Sequence, residues 1–431
     1  MMGIEPITLF FLCFVVMMVI RMPLYLCLLT SSVLYLALTP ELSMMTAMAK
    51  MMNAPNSFTL LAVPFFILAA QIMNTGGVSD RIFGFANKLV GHHRGGLAYV
   101  NVLDSLIFSG ISGSALADVG GIGTLEIKAM RKQGYDDDFI LGLTGASATV
   151  GPIIPPSIPF VIYAAMANVS VGALFVAGIV PGLLLCLVQC VYIYIASKKR
   201  NYPADKKSTF KEIMNSLVGA LPALLFPVIL LGGIWTGFFT PTEAALVSVV
   251  YGILVSFIFY KDLKVRDFPR ILKESLLQLG PCIAVVVSAS LFAWVLTYEK
   301  VDLVIVDFIL SITTNKYVIL LFINILLLLL GMFIEVIAAI MITLPILTPL
   351  MVVANIDPVH MGVILVLNMM IGLLTPPVGF SLYMLSTVSK RPFNEVVKMC
   401  FPWVLLLIGA LLLVTYIEPI TMWLPRLLGL A

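Results

Sequence analysis

The chain has 431 residues, of which 61% are hydrophobic and only 11% are charged, and its formal net charge is +3. A soluble domain needs more polar surface than this composition provides, and no long polar segment remains for an extramembrane catalytic domain. The sequence therefore predicts an all-α polytopic inner-membrane protein, surrounded by a lipid bilayer, and we expect neither enzymatic activity nor nucleic-acid binding.

The N-terminal part consists of apolar runs of about 17–25 residues, the length that crosses a bilayer. We predict spans near 5–20, 22–38 and 55–75, with an interfacial helix near 41–52. The first run lacks a basic start and a small-residue cleavage site, so we interpret it as a span and not as a removable signal. Lys and Arg cluster in a few short loops, such as 198–211, that the positive-inside rule places in the cytoplasm. This orientation puts the N-terminus in the periplasm.

A re-entrant hairpin is predicted next, near 95–130. This segment begins beside Arg94 and ends beside Arg131, both on the cytoplasmic side, and the sequence SGISGS (109–114) stands in its middle. Irregular backbone is tolerated at membrane depth only where it is buried in protein or lines a watery cavity. The hairpin therefore marks a candidate functional site, although small residues can also serve only to let helices pack closely.

The span after the hairpin is interrupted by GPIIPPSIPF (151–160). Proline removes a backbone donor and clashes with the preceding helical turn, so we predict a broken helix here. The second half of the chain contains a similar stretch, GLLTPPVGF (372–380), which predicts a second broken helix. Each break frees backbone carbonyls that can hold a cation.

The two broken helices belong to an internal repeat with an offset of 221 residues. At this offset Gly151 matches Gly372, and the pair Pro155 and Pro156 matches the pair Pro376 and Pro377. Each copy is expected to cross the membrane five times, and an odd number of crossings inverts the second copy. We therefore predict a first inverted repeat (1–200), a second inverted repeat (212–417) with a re-entrant hairpin near 316–352 that enters from the periplasm, and a C-terminal tail (418–431).

Acidic residues at membrane depth are costly and usually functional. Asp104 and Asp118 flank the first hairpin tip, and Glu335 lies at the second. For Glu335, a place in the wall of a site and a structural hydrogen bond are equally compatible with the sequence. No Lys or Arg falls within a predicted midplane segment.

Other polar residues are interpreted as structural. Glu243 stands where a capping-box acid would start a helix. Asp136 and Asp357 precede the broken helices and are expected to be helix-start charges. Three histidines lie at predicted loop edges and are expected to be solvated: His92, His93 and His360.

These segments resemble the large membrane subunit (DctM-type) of the tripartite ATP-independent periplasmic (TRAP) transporters. The resemblance is carried by SGISGSALADVGGIGTLEIKAM, by the segment around GPIIPPSIPF, by GFFTPTEAALVSVVYG and by GLLTPPVGFSLYMLS. It implies an elevator-type transporter that imports an organic acid with sodium: a C4-dicarboxylate, sialic acid or another sugar acid. It also implies two partners, a periplasmic substrate-binding protein and a small four-helix membrane subunit. No segment like that subunit precedes Met1, so we expect it to be a separate chain.

With sodium as the implied cofactor, two ion sites and one substrate site are expected at the hairpin tips and breaks. The oxygen atoms there suit a hard cation. The expected sodium ligands are Ser109, Gly110, Gly113, Ser147, Thr149, Gly151 and Pro152 in the first site, and Gly331, Asn368, Gly372, Thr375 and Pro376 in the second. The expected substrate contacts are Ser112, Ser114, Asp118, Pro156, Ser157, Glu335 and Pro377. In the absence of a basic side chain, tip hydroxyls, half-helix N-termini and sodium would hold the substrate carboxylate.

Two alternatives remain open. A proton-coupled carrier of organic anions, or one that needs no binding protein, would depend on Asp118 or Glu335 changing protonation during transport. A membrane-embedded enzyme would need a nucleophile with its base, or a set of metal ligands, and the sequence contains no such constellation.

Overall fold

A computed structural model describes residues 5–430, without the side chains of residues 109 and 112. Within this part the regular elements are helices. In chain order they are α1 (Pro6–Val19), α2 (Leu24–Leu38), α3 (Met44–Asn53), α4 (Ala62–Thr75), α5 (Val78–Val90), α6 (Gly96–Ser112), α7 (Ala115–Gly120), α8 (Ile122–Lys132), α9 (Asp137–Ala148), α10 (Ile158–Ala167), α11 (Val171–Arg200), α12 (Phe210–Trp235), α13 (Pro241–Leu254), α14 (Phe268–Tyr298), α15 (Val301–Ile312), α16 (Lys316–Gly331), α17 (Val336–Val353), α18 (Pro358–Gly372), α19 (Phe380–Ser389), α20 (Phe393–Tyr416) and α21 (Pro419–Leu427).

The described helices confirm an all-α polytopic membrane protein. By length and composition, six of them can cross a membrane, or seven if the pair α4 and α5, which is bent by 68°, is one span. Further helices are apolar but shorter, and these include α10, α18 and α19, three of the four arms of the helices that proline interrupts. Such short helices suit the interior of a membrane protein, because neighbouring protein can satisfy the backbone groups at their ends.

The first predicted hairpin is formed by α6, α7 and α8. The chain turns between α6 and α7, and α6 packs beside α8. Gly113 occupies the turn with a left-handed φ of 58°, a conformation that side chains with a Cβ rarely adopt. The second hairpin consists of α16 and α17, which pack against each other and enclose residues 332–335 between them.

Both helix breaks lie where the proline pairs predict them. The helix α9 ends at Ala148 and α10 begins at Ile158, while α18 ends at Gly372 and α19 begins at Phe380. Each break contains a cis peptide bond, between Pro155 and Pro156 and between Pro376 and Pro377.

The interrupted helices lie at the centre of the molecule. All residues of α9 from Phe139 onward and all residues of α18 from Val359 onward are buried. A helix that is apolar on every side must be surrounded by protein or lipid, and here protein surrounds both. By contrast, α12 exposes apolar side chains such as Val218, Leu221 and Val228 along one stripe. The outer helices therefore face lipid or a membrane partner.

The helix starts preserve the offset found in the sequence. The residues Ala115 and Val336, which begin α7 and α17, are 221 positions apart (336 − 115 = 221), and so are Asp137 and Pro358, which begin α9 and α18. This regularity supports the hypothesis of two repeats.

Candidate functional site

The hairpin tips, the helix breaks and two further helices enclose a central cavity of about 390 Å³. Ser114 lines it from the first tip and Glu335 from the second, while Pro152 and Leu373 line it from the two breaks. Helices α4 and α14 form the wall that is not part of a hairpin or break. The fold thus brings together segments that are more than 200 residues apart in sequence, around a space large enough for a small molecule.

The first tip lies in direct contact with the first break. A Cβ added to Gly113 would stand 2.6 Å from the carbonyl oxygen of Pro156, and one added to Gly151 would stand 2.6 Å from Oδ2 of Asp118. Gly110 has more room, since its Cβ would stand 3.1 Å from Pro227 of α12. A larger residue at Gly113 or Gly151 would therefore push the first hairpin away from the break.

Hydroxyl groups around the first break are engaged with nearby carbonyls. Ser147 donates to the carbonyl of Thr144 at 3.2 Å and Thr149 to that of Ala146 at 2.6 Å. Ser157 caps α10: it accepts from the N–H of Phe160 at 3.2 Å and donates to the carbonyl of Pro152 at 2.5 Å. A hydroxyl that donates its proton keeps a lone pair, so each of these oxygens can still bind a cation.

The remaining predicted residues of the first site are placed as follows. Ser114 caps α7 by accepting from the N–H of Ala117 at 3.4 Å. Asp118 lies in α7 and is buried. Pro156 is buried in the break. The backbones of Ser109 and Ser112 belong to α6, but their side chains lie outside the described part of the structure, so the roles predicted for their hydroxyls stay predictions.

The residues predicted for the second sodium site surround a backbone contact between Gly331 and Gly372. A Cβ added to Gly372 would stand 2.6 Å from the Cα and the carbonyl carbon of Gly331. Asn368 lies next to this contact, on the same buried helix, and donates from Nδ2 to Oδ1 of Asn324 at 2.7 Å. Thr375 donates to the carbonyl of Ile371 at 2.9 Å. Pro376 and Pro377 are exposed at the break.

Asn368 contributes the oxygen atom that best fits a cation. Its side chain is fully buried, and within the described part of the chain its Oδ1 has no hydrogen-bond partner. A buried oxygen without a donor is rare, and a bound cation can satisfy it. In the same part of the chain, no group of three His, Cys, Asp or Glu side chains is placed to hold a metal ion. Carbonyl, amide and hydroxyl oxygens are the ligand types that hard cations prefer.

A buried polar cluster inside the first hairpin includes residues that the sequence analysis missed. Glu126 accepts a short hydrogen bond from Nδ2 of Asn101, which also lies 3.3 Å from Oγ1 of Thr144. Asp104, one turn beyond Asn101 on α6, is fully buried, and neither of its oxygens has a partner among the described residues. The rule that acids at membrane depth are significant would also have identified Glu126.

The expectation for His360 was wrong. The side chain is 1% exposed, with Nδ1 2.6 Å from Oγ1 of Thr421 and Nε2 3.2 Å from the carbonyl oxygen of Thr415. It lies in the first turn of α18, and α21 packs over that turn, a tertiary contact that local sequence does not reveal. His93 is exposed, as expected.

The structural interpretation of three acids is consistent with their contacts. Glu243 forms a capping box with Thr240, and Asp357 caps α18 by accepting from the N–H groups of Val359 and His360. Asp136 stands at the start of α9 and pairs with Arg200 at 3.0 Å.

The chain is similar to known membrane transport proteins along nearly its whole length. The family model "Tripartite ATP-independent periplasmic transporter, DctM component" matches residues 11–420. The chain is 45% identical over 393 residues to the sialic acid TRAP transporter large permease protein SiaM of Vibrio cholerae, covering 91% of this chain and 92% of that one. It is 42% identical to the C4-dicarboxylate TRAP transporter large permease protein DctM of Pseudomonas aeruginosa, covering 89% and 90% of the two chains. The chain also resembles the solved structure of Neisseria gonorrhoeae MtrF, which is described as one of a class of antimetabolite efflux pumps. The match has a TM-score of 0.64 and covers 98% of this chain and 96% of MtrF. Its 13% identity supports likeness of fold alone.

Proposed function

The chain belongs to the family of DctM components of TRAP transporters, and on this premise we propose that it imports an organic acid together with sodium ions by an elevator-type movement. Homologues at this identity are transporter permeases and not enzymes. The proposed substrate class includes C4-dicarboxylates, sialic acid and other sugar acids.

One observation carries the proposal: the cavity is enclosed by both hairpin tips and both helix breaks. Discontinuous helices near the midplane are the usual place for substrate and coupling ions in secondary transporters. Among the described lining residues there is no Lys, Arg or His. An organic anion in this cavity would depend on hydroxyls, backbone N–H groups and a nearby cation for its stabilisation.

Sodium is proposed at two places beside the cavity. The first is the contact of the first tip with the first break, around Gly151 and Ser147; the second is the contact around Gly372, Asn368 and Thr375. Bound there, sodium would supply positive charge next to the substrate carboxylate. The buried Oδ1 of Asn368 and the lone pairs of the engaged hydroxyls support this assignment.

The exposed surface and the family together indicate the membrane location and the partner proteins. The exposed apolar stripe of α12 suits lipid or a membrane-embedded partner. We propose that the chain crosses the bacterial inner membrane several times and has a periplasmic N-terminus. We further propose two partners: a small four-helix membrane subunit beside this chain and a periplasmic binding protein that delivers the substrate. The 221-residue regularity of the helix starts supports two repeats, 1–200 and 212–417. We propose that the second is inverted in the membrane, because inverted repeats suit an elevator-type movement.

The proposal is tested by uptake into proteoliposomes that contain this chain and the small subunit, with the binding protein outside. We expect uptake of a radiolabelled sugar acid to require an inward sodium gradient and both partner proteins. Uptake that proceeds equally well when choline replaces sodium, or by this chain alone, would contradict the proposal.

A second candidate, proton coupling, is favoured by one specific observation. Asp104 and Glu126 are buried in the first hairpin, and no basic side chain forms a described ion pair with either. Buried carboxyl groups without a cation partner tend to hold protons. Uptake driven by a pH gradient in sodium-free vesicles would support this alternative.

A further inference from the structure

Three carboxamides line the central cavity from the two helices that belong to neither a hairpin nor a break. Gln71 and Asn74 project from α4 and Gln278 from α14. Gln71 and Asn74 are three residues apart and share one face of their helix. Gln71 is half-buried, and Asn74 and Gln278 are exposed where they line the cavity. Their carboxamides are therefore available to a ligand in the cavity.

The charge of the cavity wall restricts the ligand. Glu335 is the only Asp, Glu, Lys, Arg or His among the described lining residues. A ligand carboxylate has no basic side chain to pair with in the described wall, and beside Glu335 it would meet a second carboxyl group. We therefore place it at the first hairpin tip, near the Ser114 backbone and the first break. A second carboxylate on the same ligand would reach toward Glu335 or the carboxamide wall. Neither supplies a positive charge.

The chemistry of the carboxamide wall matches neutral polar groups. Each glutamine offers two N–H donors and one carbonyl acceptor, a combination that pairs with hydroxyl and amide groups. Asn74 accepts from Oγ of Ser79 at 3.1 Å, which leaves its N–H₂ group as the donor for a ligand. A carboxylate, by comparison, can only accept. The volume of about 390 Å³ lies in the range of about 300–1,000 Å³ typical of sites for drug-sized ligands, well above what a four-carbon acid needs.

We infer that Gln71 and Gln278 form a specificity surface that binds the hydroxyl or amide end of a polyhydroxylated monocarboxylic acid and disfavours short dicarboxylates. This inference rests on the proposed function, since it assigns the substrate class of the same cavity. It places the ligand carboxylate at the first tip and the polar tail between Glu335, as an acceptor, and the two glutamines. Gln71 and Gln278 then act by direct contact with the ligand tail.

The test uses the purified complex of this chain with the small membrane subunit, in sodium buffer, without the binding protein. Thermal unfolding is followed while sialic acid or succinate is titrated, because a ligand that binds only the folded state raises the unfolding temperature with concentration. We expect sialic acid to bind at least about tenfold more tightly than succinate. The double variant Gln71→Leu/Gln278→Leu should weaken sialic acid binding by about tenfold, as expected for lost ligand hydrogen bonds, and change succinate binding by less than about twofold.

A matched control and three contrary outcomes complete the design. Thr297→Val removes a hydroxyl from α14 that bonds within its own helix, at a position outside the cavity wall, and should leave both affinities unchanged. Succinate binding as tight as sialic acid binding in the unmodified complex would overturn the inference. So would an equal loss of both acids in the double variant, which would indicate a structural role. If no acid stabilises the complex at any sodium concentration, the proposed function fails as well.

Discussion

Replacing Gly372 with Ala tests the second sodium site most directly. The added Cβ would stand 2.6 Å from the carbonyl carbon and 2.8 Å from the carbonyl oxygen of Gly331. Carbon atoms in contact normally lie about 3.5–4.0 Å apart, so the second hairpin tip must move from the break by about 1 Å. Overpacking of this kind costs about 1–3 kcal/mol. The same displacement would separate the oxygen atoms of Gly331 from those of Asn368 and Thr375.

The expected result is weaker sodium activation in a protein that still folds. If the displacement costs the ion site about 1.4 kcal/mol, the sodium concentration for half-maximal uptake rises about tenfold. The assay is sodium-dependent uptake into proteoliposomes by Gly372→Ala, with the unfolding temperature measured on the same preparation. Gly409→Ala is the control, because a Cβ there meets no atom within 4 Å. Unchanged sodium activation in correctly folded Gly372→Ala would refute the placement of an ion at this contact.

Three further substitutions test other parts of the site. Gly113→Ala combines a left-handed φ, which costs about 1–2 kcal/mol, with a clash at the carbonyl oxygen of Pro156. Its unfolding temperature should therefore fall further than that of the control Gly134→Ala, whose φ is also positive but whose Cβ would meet no atom within 4 Å. Equal losses in the two variants would show that the contact with Pro156 is unimportant. Thr375→Val should raise the sodium concentration for half-maximal uptake several-fold, because it removes a proposed oxygen ligand. Sodium titration of uptake into proteoliposomes measures this, and an unchanged half-maximal concentration would contradict a role for Thr375 in binding sodium. Asp137→Asn breaks the ion pairs of Asp137 with Arg131 and Arg391, both at less than 3 Å. The free energy of unfolding should fall by about 1 kcal/mol at low salt and by less at high salt, because salt screens ion pairs. A loss that does not depend on salt would argue against the ion pairs.

The sequence predicted those features of the fold that depend on local chemistry. The breaks at 149–157 and 373–379 follow from the proline pairs, which cannot continue a helix in any surroundings. The turn of the first hairpin follows from Gly113, whose backbone conformation excludes most other residues. The capping role of Glu243 follows from its spacing to Thr240.

Features that depend on distant partners were not predictable in this way. Asn101 and Glu126 are 25 residues apart and meet only because the hairpin folds back on itself. The burial of His360 depends on α21, more than 50 residues later in the chain. Gln71 and Gln278 come from different halves of the chain, and a single glutamine in an apolar helix does not indicate which other residues share its cavity.

The composition of the cavity wall gives a physical reason for coupling in the proposed transporter. A lysine or arginine beside the substrate carboxylate would bind the anion without any ion, and sodium would then add little. The described wall instead offers neutral donors and the single acid Glu335, so an anion in the cavity is poorly stabilised by the protein alone. Sodium bound where each hairpin tip contacts a helix break would supply the missing positive charge. The anion would in turn strengthen sodium binding, because coupling between two ligands is reciprocal. Introducing a positive charge at the first hairpin tip, where the carboxylate is placed, as in Leu116→Lys, should therefore increase substrate binding at low sodium and reduce the dependence of that binding on sodium. Thermal-shift titrations of sialic acid with and without sodium would measure this, and an undiminished sodium dependence in that variant would show that sodium acts other than through charge.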